Sequence, residues 1–163
     1  MLMEKDFIDL LNKNQRIIYK ICNLYMDNAV DKEDLFQEIT LQAWKSFGSF
    51  RGDAQFSTWL YRIALNTAIT FFRKEKRKIP VLNTETLPEL TDEQNDIENR
   101  IKAMYQAIGD LSKIDKALVM LYLEDYSYIE IGDILGITPN NVAVKMNRIK
   151  LKLKEQTQKH YQF

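Results

Sequence analysis

The chain has 163 residues, 45% of them hydrophobic and 28% charged, which is typical of one or two small folded domains. Glycine and proline are sparse and amphipathic runs are long, so we predict an all-α fold. No apolar run approaches the roughly 20 residues of a membrane span, and Glu4, Lys5 and Asp6 argue against a signal peptide. Cys22 is the single cysteine, which excludes an internal disulfide and favours a cytoplasmic location.

Charge is unevenly distributed, although 23 Lys and Arg residues balance 23 Asp and Glu residues. The net charge is −2 over residues 1–50, +5 over 51–80, −8 over 81–135 and +5 over 136–163. Two basic blocks are therefore separated by an acidic one. Because phosphate contacts depend on the local field rather than on net charge, this pattern is compatible with nucleic-acid binding.

The N-terminal region begins with two predicted amphipathic helices. The first extends from Phe7 to about Asp27, with Cys22 expected to pack as a small hydrophobe. The second extends from Asp31 to Phe47. Its neighbouring stripes are Leu35, Ile39, Ala43 and Phe36, Thr40, Trp44, and its polar face carries Asp34, Gln37, Glu38 and Leu41. Spacing alone favours a solvated acidic face.

A loop, FRGDAQ from Phe50 to Gln55, precedes a third helix predicted from Ser57 to about Lys78. This helix ends in a basic cluster formed by Arg73, Lys74, Lys76, Arg77 and Lys78. The helix dipole explains part of that cluster without DNA. Aromatic rings beside basic residues suit the stacking of unpaired bases, but helices also need buried residues, so both roles stay open for Trp59 and Phe71.

Residues 79–96 are predicted to form an acidic linker because they contain Pro80 and Pro88 and neither lysine nor arginine. A bundle of about four helices is predicted to follow. Its first helix covers Ile97 to Leu111 and carries apolar residues at helical spacing: Ile97, Ile101, Met104, Tyr105 and Ile108. The next helix starts near Ser112 or Asp115 and should turn Ala117, Leu118, Leu121 and Tyr122 inward. Residues 156–163 are expected to fray.

The stretch from Ser127 to Glu155 predicts a helix-turn-helix. Ser127 and Glu130 suit a capping box, Gly136 can end the first helix, and Thr138 with Pro139 can start the second. The inner face would hold Val142, Met146, Ile149 and Leu153, and the outer face Asn140, Asn141, Lys145, Asn147 and Arg148. Such outer residues can read base edges and hold phosphates in the major groove. An ordinary helical hairpin with a solvated face is the alternative.

The residues offer no recognisable catalytic or metal-binding set. One cysteine and one histidine, His160 near the C-terminus, cannot form a zinc site of the usual ligand types or a credible nucleophile pair. A glycine-rich phosphate loop is also absent from the sequence. We therefore expect neither an enzyme nor a cofactor.

Three motifs together resemble the extracytoplasmic-function (ECF) sigma factors of bacterial RNA polymerase. The segment from Asp34 to Trp44 is similar to the core-binding helix, and Phe50 to Ala68 to the promoter-melting loop and helix. The segment from Tyr128 to Leu153 is similar to the unit that reads the minus-thirty-five element. The resemblance implies an N-terminal domain over 1–78, a flexible acidic linker over 79–96 and a C-terminal domain over 97–163.

The resemblance also implies roles for individual residues. The grip on the clamp coiled coil of core RNA polymerase would involve Asp34, Gln37 and Glu38. Contacts with the minus-ten element would involve Phe50, Gly52, Asp53, Ala54, Gln55 and Asn66. The minus-thirty-five element would meet Asn141, Val144, Lys145, Asn147 and Arg148. The implied partners are core polymerase, promoter DNA and, as a further candidate, an anti-sigma factor, with no cofactor and no membrane insertion.

Three positions depart from the family pattern. Gly132 stands where alanine is usual, Val144 where a small polar residue is common, and Leu65 where a basic residue is frequent. Two rival functions are a stand-alone helix-turn-helix regulator and a helical interaction protein that binds no nucleic acid. The first would need neither of the two N-terminal motifs, and the second leaves the two basic blocks unexplained.

Overall fold

The structure is a computed structural model that describes residues 2–71 and 92–160, with side chains described over 3–71 and 96–158. These ranges contain eight α-helices and one 3-10 helix, Phe47–Ser49, and no strand. The α-helices are α1 (Leu2–Lys13), α2 (Gln15–Tyr25), α3 (Ala29–Ser46), α4 (Phe56–Phe71), α5 (Asp92–Gly109), α6 (Lys113–Leu123), α7 (Tyr128–Leu135) and α8 (Pro139–His160). Contacts separate the chain into two compact units, one around α1 to α4 and one around α5, α6 and α8. The prediction of an all-α fold with two helical domains is confirmed.

The first predicted helix is in fact two helices, α1 and α2, which meet at Asn14. The Asn14 side chain donates through Nδ2 to the Leu10 carbonyl oxygen at 2.8 Å, and its backbone N–H donates to Leu11 at 3.0 Å. An asparagine side chain that bonds its own backbone competes with regular helical pairing. The prediction of one helix from Phe7 to about Asp27 is therefore wrong at Asn14, and the second helix already ends at Tyr25.

Helix α3 lies at the centre of the N-terminal domain, where it packs against α2 and α4. It starts at a well-formed cap, since Asn28 Oδ1 accepts the Asp31 N–H at 2.8 Å. Leu35, Ile39 and Ala43 are fully buried, as their spacing predicts. The core that surrounds them includes Ile18, Ile21, Cys22, Leu60, Ala64, Leu65 and Ala68.

Helix α4 is observed from Phe56 to Phe71, one residue earlier than predicted at its start. The basic cluster between Arg73 and Lys78 lies outside the described residues. Leu65 is fully buried on this helix, so its departure from a basic residue serves the core. None of the helices in the described ranges is long and apolar enough to span a bilayer.

Helix α5 starts at Asp92, inside the predicted linker, while residues 79–91 lie outside the described ranges. Its small residues Ala103 and Ala107 are buried, and the helix packs against α8. The larger apolar residues of the predicted stripe are exposed: Ile97, Ile101, Met104 and Tyr105. The expectation that Tyr122 of α6 turns inward is also wrong, because Tyr122 is 40% exposed and Lys150 Nζ lies 4.8 Å from its ring centroid.

Helices α7 and α8 form the predicted helix-turn-helix. The Ser127 N–H donates to Glu130 Oε2 at 2.9 Å and the Glu130 N–H donates to Ser127 Oγ at 3.2 Å, which completes the capping box. Gly136 adopts a φ of 73° just after α7 ends, a left-handed conformation that glycine takes without steric cost. Thr138 Oγ1 accepts the Asn141 N–H at 3.2 Å at the start of α8. Helix α8 continues to His160, so the predicted fraying from residue 156 is wrong over 156–160.

Candidate polymerase and nucleic-acid interfaces

The acidic face of α3 consists of Asp34, Gln37 and Glu38, which follow one side of the helix opposite its buried stripe. Asp34 and Gln37 are exposed and Glu38 is half-buried. The Glu38 carboxylate accepts a hydrogen bond from Gln42 Nε2 at 3.0 Å, so Gln42 orients it. The face is therefore accessible, negatively charged and partly pre-ordered, as a docking surface for a basic partner requires.

An apolar groove of about 540 Å³ lies between α1 and α3, beside this acidic face. It is lined by Glu4, Phe7, Ile8, Phe36, Gln37, Thr40, Leu41 and Trp44. Ile8, Leu41 and Trp44 are each more than two-fifths exposed there. The contribution of α1 to this groove was not predicted from the sequence, where its one signal is the apolar Ile8 next to the inward-facing Phe7.

Four aromatic rings from the connection between α3 and α4 and from the start of α4 pack together. This aromatic cluster comprises Phe47, Phe50, Phe56 and Trp59. The ring centroid of Trp59 lies 5.2 Å from that of Phe50 and 5.3 Å from that of Phe56. The Phe47 ring stacks on Phe50 with 6.1 Å between their centroids. Phe56 is buried, whereas Phe50 and Trp59 are half-buried. Trp59 therefore packs in the cluster and is still partly accessible, so its role in stacking unpaired bases stays a prediction.

The loop next to the cluster is held at both ends by backbone hydrogen bonds. The Phe50 N–H donates to the Phe47 carbonyl oxygen at 3.1 Å, and the Trp59 N–H donates to that of Gln55 at 3.1 Å. Residues 51–55 are all exposed, and Gly52 has a φ of 78°. Phe50 and the predicted minus-ten residues Gly52, Asp53, Ala54 and Gln55 therefore share one short loop. Asn66 is exposed on α4 ten residues beyond Phe56, roughly 15 Å along the helix axis.

The outer face of α8 carries the residues predicted to meet the minus-thirty-five element. Asn141, Val144, Asn147 and Arg148 are exposed and Lys145 is half-buried. Val142, Met146 and Ile149 are at most 2% exposed and fix the opposite side of α8 in the core. One helix thus presents a mixed amide, cationic and apolar surface, and side chains of these types can contact base edges in the major groove of DNA.

No group of three or more His, Cys, Asp or Glu residues within the described ranges could hold a metal ion. Cys22 is buried, and burial raises the pKa of its thiol to about 11. A buried thiol with a raised pKa is a poor nucleophile and a poor metal ligand, so Cys22 belongs to the core.

Two family models match the chain, sigma-70 region 2 over residues 10–78 and sigma-70 region 4 over residues 101–153. The first match contains the acidic face, the loop and α4, and the second contains the helix-turn-helix. Together with the helical fold, they define a protein of the sigma-70 class.

Similarity to proteins of known function identifies the family within the sigma-70 class. The chain is 31% identical to the ECF RNA polymerase sigma factor SigW of Bacillus subtilis over 92% of this chain and 88% of that protein. It is 27% identical to the ECF RNA polymerase sigma-E factor of Escherichia coli, covering 90% and 84%. A solved structure of the sigma factor RpoE with the anti-sigma factor NepR from Bartonella quintana matches with a TM-score of 0.67 at 20% identity, covering 93% and 96%. The chain belongs to the ECF RNA polymerase sigma factor family.

Proposed function

We propose that this chain binds core RNA polymerase, directs it to specific promoters and promotes opening of the minus-ten strands. The observation that carries the proposal is the exposure of three motif surfaces: the acidic face of α3, the loop next to the aromatic cluster and the outer face of α8. Each surface has the chemistry for a different contact: the first with polymerase, the second with the minus-ten strand and the third with the minus-thirty-five element. The protein contributes recognition rather than catalysis, and the reaction belongs to polymerase.

The acidic face and the neighbouring groove bind the clamp coiled coil of core polymerase. Asp34 and Glu38 attract basic side chains and set the orientation of docking. The groove accepts apolar side chains of the same partner, and Trp44, 43% exposed, supplies an aromatic anchor of the kind enriched at interfaces. The charged residues thus set the orientation of docking, and the apolar contacts beside them contribute affinity.

The loop from Gly52 to Gln55 captures a base flipped out of the minus-ten strand. Flipping costs a few kcal/mol of unstacking, which a pocket must return through stacking and hydrogen bonds. Exposed backbone and side-chain groups of the loop provide the hydrogen bonds, and the accessible parts of Phe50 and Trp59 provide stacking surface. Asn66 contacts the same element farther along α4.

Helix α8 enters the major groove at the minus-thirty-five element. Asn141, Asn147 and Arg148 reach base edges, and Lys145 holds phosphate. The domain boundaries proposed from the sequence, 1–78 and 97–163, separate the two DNA-reading surfaces, and the acidic segment between them tethers one to the other. The protein acts in the cytoplasm with polymerase, and an anti-sigma factor is a candidate regulator.

The experiment that tests the proposal starts with purified core polymerase from the same organism. The chain is mixed with core and random-sequence duplexes, and bound duplexes are recovered and sequenced. The proposal predicts two enriched elements at fixed spacing, and permanganate-reactive thymines within the downstream one. Enrichment that does not depend on core, or an absence of strand opening, would contradict it.

A further inference from the structure

The outer face of α8 has an apolar residue at its centre. With 3.6 residues per turn, Val144 lies roughly 170° around the helix from the middle of the buried stripe formed by Val142, Met146 and Ile149. Asn147 lies about 60° to one side of it and Arg148 about 40° to the other by the same geometry. Of the five residues assigned to this face, Val144 therefore points most directly away from the core.

Stability of the helix alone does not explain this valine. Val144 is 45% exposed, so it obtains only part of the burial that favours valine in proteins. A β-branched residue also has a lower helix propensity than alanine, by roughly half a kcal/mol. Single exposed apolar residues are common, but this one is encircled by amide and cationic side chains on a capped recognition helix.

The major groove contains one apolar group that a valine can recognise. It is the C5-methyl group of thymine, which protrudes from the groove floor and is absent from the other three bases. The stiff χ1 torsion of valine means that little side-chain entropy is lost when the contact forms. A serine or threonine hydroxyl at the same position would instead donate to or accept from several bases.

We infer that Val144 selects thymine at one position of the minus-thirty-five element by packing against its C5-methyl group. The inference rests on the proposed function and adds a named base contact to it. Val144 is thus a specificity-determining residue, while Asn147 and Arg148 read polar edges on either side. Burying one methyl-sized group corresponds to about a fourfold change in affinity.

The test combines a change in the protein with a change in the DNA. Holoenzyme assembled from the full chain and core polymerase is bound to its selected upstream element, and each thymine is replaced in turn by deoxyuridine, which lacks the C5-methyl group. We expect one position where this replacement weakens binding about fourfold. With Val144→Ser the same replacement should have no effect, and with Val144→Thr, which keeps one methyl group, part of the effect should remain.

Leu151→Ser is the matched control, because Leu151 is 63% exposed on the same side of α8 but two turns farther from its N-terminus. It should retain the thymine preference. The inference is overturned if no thymine responds to deoxyuridine, or if Val144→Ser keeps the fourfold difference. Holoenzyme that shows no preference for any upstream element would overturn the proposed function, and this inference with it. Circular dichroism and Val144→Ala, which should also lose the preference, distinguish a lost contact from a misfolded helix.

Discussion

Gly132 and Ile137 approach each other so closely in the helix-turn-helix that a Cβ atom on Gly132 would lie 2.6 Å from the Ile137 carbonyl oxygen. The Ile137 N–H also donates to the Gly132 carbonyl oxygen at 3.0 Å. Alanine at this position would therefore force the backbone of the turn to move. Glycine lowers the stability of the helix by about 1 kcal/mol relative to alanine, but because it has no Cβ atom it permits the close contact.

Gly132→Ala should destabilise α7 and α8 by about 1–3 kcal/mol, because overpacking against backbone outweighs the gain in helix propensity. Amide hydrogen exchange measured over residues 128–150 should become faster. Gly109→Ala is the matched control, since nothing lies within 4 Å of a Cβ built at Gly109. That variant should leave exchange in α7 and α8 unchanged. Slower exchange in Gly132→Ala than in the parent chain would contradict this account of the turn.

Asp34→Lys combined with Glu38→Lys should weaken binding to core polymerase by about tenfold or more, because two attractive contacts become repulsive. Fluorescence anisotropy of the labelled chain titrated with core measures this affinity. Asp6→Lys with Asp9→Lys changes net charge equally at exposed positions of α1 that do not line the groove. Equal losses in both double variants would show that net charge, rather than the acidic face of α3, determines binding.

Arg148→Ala should cost about 1–3 kcal/mol at the selected minus-thirty-five element and much less on a scrambled duplex, because a base-edge contact is sequence-specific. Lys145→Ala should weaken binding to both duplexes by similar factors and reduce the salt dependence. Holoenzyme binding at several salt concentrations measures both effects. If Arg148→Ala loses the same factor on both duplexes, Arg148 contacts phosphate and reads no base.

Burial of Cys22 predicts a specific dependence of stability on pH. Its thiol has a pKa of about 11 when folded against a usual value of 9.0, so between these values the unfolded chain ionises first. Stability from this group is complete below pH 9 and falls as pH rises, by up to about 1.4 kcal/mol per pH unit. The difference in unfolding free energy between the parent chain and Cys22→Ala, measured by urea denaturation, should therefore decrease between pH 9 and pH 11. A constant difference across that range would contradict a buried neutral thiol.

Local sequence signals predicted the helix-turn-helix well. Ser127, Glu130 and Thr138 act through hydrogen bonds to residues three positions away, and Gly136 acts through its own backbone conformation, so these signals are local in the sequence. The inner face of α5 was not predictable in this way. Its periodicity identified a helix, but the buried side is set by Ala103 and Ala107, whose small side chains allow packing against α8. Which stripe faces the core is a tertiary property.

The candidate interfaces also differ in whether local sequence signals could predict them. The acidic face and the outer face of α8 each lie on one helix, so residue spacing sufficed to assemble them. The groove beside α3 requires α1 to pack alongside, and the break at Asn14 that positions α1 carries neither glycine nor proline as a signal. The aromatic cluster likewise joins rings from the 3-10 helix, the loop and α4.

Run-off transcription on a linear duplex that carries the selected promoter tests the central claim most directly. Core polymerase alone, core with the parent chain, and core with the Asp34→Lys and Glu38→Lys variant are compared at equal concentrations. We predict one transcript with a defined start that appears with the parent chain and is strongly reduced with the variant. A transcript yield that does not rise above core alone when the parent chain is added would contradict the assignment of this chain as an initiation factor.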